Sequence, residues 1–129
     1  MNFAYIFDSF IAPVRDNPTA EIAIVSVLVL VVLDVIFGLI NALIKHDFSS
    51  EKMREGIAHK CAELGFILVG IVIDATIIGG FDLGFTAPVL VSICIYLALM
   101  EIGSLLETFA LLNPQLADSP LFRLLASTK

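Results

Sequence analysis

The chain has 129 residues, 59% of them hydrophobic, a mean hydropathy of +1.01 and a formal charge of −6 at pH 7. That length allows one compact unit, and so apolar a composition lies outside ordinary soluble usage. The acidic balance excludes a nucleic-acid partner, because a phosphate backbone requires a basic stripe and the sequence has none.

At the start, Phe3, Ile6, Phe7, Phe10 and Ile11 recur at the i, i+3, i+4, i+7 and i+8 positions of one helical face. Residues 1–15 are read as an amphipathic helix on the outer membrane surface, its aromatic face in the headgroup region. Asp16-Asn17-Pro18 then turns the chain. The start lacks a basic n-region and the apolar run that follows is too long for an h-region, so no cleaved leader is expected.

Three apolar runs follow, at 22–44, 61–81 and 87–112. Each reaches the roughly 20 residues needed to cross a hydrocarbon core about 30 Å thick. Three such runs leave too little chain to wrap them in a polar shell. The fold class is an all-α integral membrane protein: one domain over 1–129, with three transmembrane helices, an N-terminal interfacial helix and a cytoplasmic tail over 113–129.

Between the first two runs, Ser49 or Ser50 can cap a new helix with Glu51 in its first turn. Residues 52–60 then extend the second span into the cytoplasm. Gly79, Gly80 and Gly84 mark a tight outer turn in which Asp82 is solvated. In the tail, Ser119-Pro120 is a cap and first helical position, opening a short surface helix with Leu121, Phe122, Leu124 and Leu125.

Basic residues near span ends favour the cytoplasmic side. Lys45, Lys52, Arg54 and Lys60 gather in the first connection and Arg123 and Lys129 in the tail, whereas the second connection has none. This distribution places the N-terminus outside and the C-terminus inside.

Five acids fall in the spans: Asp34, Glu63, Asp74, Glu101 and Glu107. A charge at the bilayer centre costs about 2.5–3.5 kcal/mol on insertion scales, and no Lys or Arg lies within the three runs to neutralise them. Asp34, Gly38 and Asn41 follow one helix face, and Glu63, Gly70 and Asp74 another. Glu101, Ser104 and Glu107 advance by threes along the third span. Each span thus carries a polar seam. Gly38 and Ala42 form a small-x-x-x-small pair suited to close helix approach, with Gly70 a second packing glycine. Two readings stay open: protonated acids bonded between helices of one bundle, or seams that meet those of neighbouring subunits or line water. Three helices offer little interior for five acids, which favours assembly.

Catalytic and metal chemistry find little support. His59-x-Cys61-x-Glu63 places His59 and Glu63 one turn apart, but a single thiolate between them does not make a ligand set. His46 reads as a solvated loop residue. No nucleophile–His–acid arrangement or phosphate-binding glycine motif occurs, and no cofactor is called for. Cys61 and Cys94 belong to opposite ends of their spans, beyond the Cα separation of about 7 Å that a disulfide tolerates.

Asp34-x3-Gly38-x3-Ala42, followed by Ser49-Ser50 and Gly56-x3-Lys60, resembles the phage lysis and toxin-secretion holin family. Glu101-x2-Ser104-x2-Glu107 is similar to that family's Glu-x2-Ser-x2-Glu-Asn element. The resemblance covers most of 34–125. Thr108 stands where the family has Asn, and the stretch after the third span lacks its Gly-x-Pro pattern. The resemblance implies a small protein of the bacterial cytoplasmic membrane that self-associates in the bilayer. Its lesion would release a cell-wall-degrading endolysin or a toxin, a passenger that needs no specific contact. The alternatives are a small oligomeric ion or proton-coupled channel or transporter, and a holin antagonist.

Overall fold

The computed structural model describes residues 2–80 and 88–127. Asp82, Gly84, Ala87 and Lys129, each part of a sequence expectation above, lie outside the described residues. Among the described residues six helices follow one another: α1 (Phe3–Arg15), α2 (Pro18–Lys45), α3 (Ser50–Gly80), α4 (Val89–Leu112), α5 (Pro114–Ala117) and α6 (Pro120–Ala126). Three of them are long and apolar enough to cross a membrane: Pro18–Lys45, Ser50–Ile77 and Val89–Leu112.

Local chemistry sets the ends. Asn17 accepts from the Thr19 and Ala20 backbone N–H groups, with Pro18 in the first helical position, so α2 starts before the apolar run does. It stops at His46, whose left-handed backbone (φ 52°) lets the His46 and Asp47 amides reach back to the carbonyls of Leu43 and Ala42. Ser49 Oγ accepts from the Lys52 N–H at 3.5 Å at the start of α3. That helix then runs unbroken through the polar extension and the apolar run. Gly79 and Gly80, expected in a turn, instead belong to the end of α3. The expected cap at Ser119 opens α6, its Oγ accepting from Phe122 N–H, while α5 is a turn the sequence reading did not anticipate.

α4 is the central helix, packed against both α2 and α3. Leu90, Cys94, Leu97, Glu101 and Leu105 are buried along it at helical spacing. The bundle has two unlike halves. Towards the end where α1 joins α2, the core is apolar: Ala20, Val27, Ile67, Leu90, Ile93, Cys94 and Leu97. Gly70 permits this packing, because a Cβ there would stand 3.0 Å from Ile93 Cδ1 and 3.2 Å from Leu90 Cα. Towards the α2–α3 connection, apolar packing gives way to charge. Phe37 of α2 and Phe109 of α4 meet edge to face at 4.9 Å beyond it.

α1 lies across the opposite end, against α3 and α2. Pro13 is buried and Ile6 and Ser9 are half-buried, while Phe3, Phe7, Phe10 and Ile11 remain exposed. Large apolar side chains are also exposed along the outer faces of α2 and α3, a pattern suited to hydrocarbon and not to water.

Candidate functional site

Asp34 stands eleven residues before the end of α2, Lys60 ten after the start of α3, and Glu101 eleven before the end of α4. At 1.5 Å per residue these three lie about 15 Å from the same end of the bundle. Equal depth brings them together. Lys60 Nζ lies 2.5 Å from Glu101 Oε1, 2.9 Å from Asp34 Oδ2 and 3.7 Å from Glu63 Oε2. Ser104 Oγ donates to Asp34 Oδ1 at 2.7 Å. The Glu101 side chain is only 2% exposed, and those of Glu63, Asp34 and Lys60 are 12%, 14% and 19% exposed.

The sequence reading leaves the acids without a cation, since Lys60 lies one residue before the second apolar run and reads there as a topology-determining residue. Instead its long stem carries the ammonium inward to the carboxylates of three helices. The legible signal was Lys60-x2-Glu63, an i, i+3 pair on one face of a single continuous helix.

One ammonium faces three carboxylates. Oε2 of Glu63 and Oε2 of Glu101 are buried without a hydrogen-bond partner. With all three acids ionised the cluster carries an excess of two negative charges, which water, protons or cations must offset. A polar cavity of about 390 Å³ adjoins it, lined by Glu55, His59, Glu63, Glu101 and Ser104 among others. On another side of Lys60 a cleft of about 520 Å³ separates α2 from α3.

The other singled-out residues go elsewhere. Asp74 is near the opposite end of the bundle, where Oδ1 accepts from Val89 N–H and Oδ2 from Leu90 N–H, both at 3.2 Å. It thus caps α4 from a neighbouring helix, the service an N-cap residue normally provides within its own helix. Nothing in the local sequence around Pro88 signals that arrangement. Gly38, Asn41 and Ala42 line the cleft; a Cβ on Gly38 would meet nothing within 4 Å. Glu107 is exposed near the end of α4, and Lys45, Lys52 and Arg54 are exposed around the connection. Cys61 is exposed and Cys94 buried, and both are free thiols.

At the connection between α2 and α3, Lys52 Nζ meets Asp47 Oδ2 at 2.6 Å. Its hydrogen bond holds the Asp47 carboxyl below the usual aspartate value, with a weaker pull from Lys45. Arg15 pairs with both Asp8 and Asp16 beside α1.

Fold and site together define a helical membrane protein with three apolar spans joined by an internal ionic cluster. The model of the bacteriophage holin family matches residues 19–119, and the chain belongs to that family. The match takes in all three spans and the whole cluster. It does not take in α1. Comparison with curated proteins and with solved structures gives no match. The family is not one of enzymes.

Proposed function

We propose that the protein self-associates in the bacterial cytoplasmic membrane and opens a lesion through which a cell-wall-degrading endolysin or a toxin leaves the cell. One observation carries this reading beyond family membership: all three spans converge on a cluster with more anionic than cationic groups. Such a centre is costly in a lipid-embedded monomer. A water-filled assembly that hydrates the cavity beside Glu63 and Glu101 relieves that cost, so the ionic interior favours the assembled state. The passenger needs no binding site on this chain.

Orientation follows from Lys45, Lys52 and Arg54, which leave a basic bias around the connection even with Lys60 engaged inside. In a Cys-free background, a cysteine at position 82 is accessible to an impermeant reagent from outside and one at position 52 is not. The reverse labelling overturns this topology.

The decisive experiment is expression in a bacterium carrying a folded cytoplasmic reporter enzyme. Release of the reporter along with ions supports the lesion. Ion leakage with full retention of the reporter overturns it and supports the second reading, a small cation passage, which the carboxylate-lined cavity beside Glu63 and Glu101 favours.

A further inference from the structure

α2 and α3 pack against α4 but leave a cleft of about 520 Å³ between themselves, in the half of the bundle that ends at their connection. That volume is in the range of about 300–1,000 Å³ typical of sites that enclose a small molecule. Val35, Leu39 and Ile57 line it and remain exposed, as does Phe48 near the mouth. Gly38 and Gly56 widen it, since a Cβ on either would meet nothing within 4 Å. The cleft is therefore an open, mostly apolar slot at bilayer depth, with Asp34 and Lys60 of the ionic cluster in its wall.

Its mouth is different. Lys45, Asp47 and Lys52 all line it there, two ammonium groups against one carboxylate, and the carboxylate is already bonded to Lys52. One positive charge is left over, at the level where α2 ends and α3 begins. Asn41 lies a turn deeper, its Oδ1 buried without a hydrogen-bond partner.

We propose that this cleft binds an anionic phospholipid, one acyl chain lying between α2 and α3 and the phosphate diester held at Lys45 and Lys52. A basic pocket between spans at the membrane surface is suited to such a headgroup, and the single excess charge of the mouth matches the single charge of the diester. A helix from a second copy fits less well. A symmetric partner would bring its own Lys45, Lys52 and Arg54 to the same place, setting like charges together. The site is independent of what passes through the membrane, because neither its walls nor its mouth depends on a lesion.

The test uses the full chain in a neutral detergent, titrated with phosphatidylglycerol or phosphatidylcholine of identical chains, with bound lipids counted by native mass spectrometry. The expected result is one preferentially retained phosphatidylglycerol per chain. Lys45→Gln lowers its affinity about fivefold, the weight of one lysine near an anionic lipid, while Arg123→Gln leaves it unchanged. Lys45 is exposed, so this substitution spares the fold. A phosphatidylglycerol carrying a mid-chain diazirine labels the segments 35–39 and 53–57. Equal retention of the two lipids overturns the proposal, as does labelling confined to other segments. So does efficient cross-linking between copies through cysteines at position 39 in phosphatidylglycerol membranes, because a protein neighbour then fills the cleft.

Discussion

Lys60→Met retains most of the apolar stem and deletes the one ammonium among three carboxylates. The magnitude follows from where its partners lie. Glu101 is 2% exposed and Asp34 14%, at 2.5 and 2.9 Å from Nζ, so bulk solvent screens the lost cation poorly at Glu101. Removing one member of a buried pair and leaving the other charged costs about 3–5 kcal/mol. The exposed Lys52–Asp47 pair has the same chemistry in solvent, so Lys52→Met serves as the control and changes stability little. Unfolding in mixed micelles by added denaturing detergent, followed by helix circular dichroism, reads both. Adding Glu101→Gln to Lys60→Met recovers part of the loss, since a neutral amide no longer requires the cation. The cycle should show a coupling of about 1–3 kcal/mol. If Lys60→Met falls within about 0.5 kcal/mol of the parent, or if the coupling is near zero, the cluster does not hold the spans together.

Asp74→Ala deprives the first two amides of α4 of their acceptors and is expected to cost about 1–2 kcal/mol, as loss of a cap does; faster hydrogen exchange at both Val89 and Leu90 checks it, whereas Asp74→Asn, which keeps one acceptor oxygen of the two, should leave one of these amides protected and expose the other. Gly70→Ala places a methyl 3.2 Å from the Leu90 backbone, an overpacking worth about 1–3 kcal/mol in the same micelle assay, whereas Gly38→Ala is neutral there because its surroundings are open. Asp47 titrates below an ordinary aspartate because Lys52 bonds its charged form. The stabilising contribution of this link is therefore present above the ordinary aspartate range and is lost as pH falls through the lowered value. A carboxyl-carbon NMR titration should show Asp47 moving upward in Lys52→Gln; an unmoved titration refutes the pairing.

Hydropathy alone determined that this chain has three spans, because the need to satisfy every backbone group inside hydrocarbon leaves an apolar run of that length little choice but helix. Capping chemistry is equally local, and Ser49-Ser50 and Ser119-Pro120 announce helix starts from neighbouring residues only, while Asn17-Pro18, legible as a turn, proves also to cap α2. The acids were legible as an anomaly for the same reason: a carboxylate in a span is expensive wherever it sits. Their partners were not legible. Lys60 is visible as a basic residue at the edge of the second apolar run, but not as a partner of the acids, because α3 continues as one helix past that edge and the lysine stem is long enough to reach back across it. Asp74 escaped because its acceptors serve a helix that begins only after the next connection, a relation fixed by how α3 lies against α4. Which helix stands in the middle, and hence that α2 and α3 part into a cleft instead of closing on each other, depends on packing among three nearly equivalent apolar cylinders. Burial at Gly70 against Leu90 decides one side of that arrangement and the Asp34–Lys60–Glu101 contacts the other. Such contacts join residues far apart in the chain, so only the tertiary structure could choose among them.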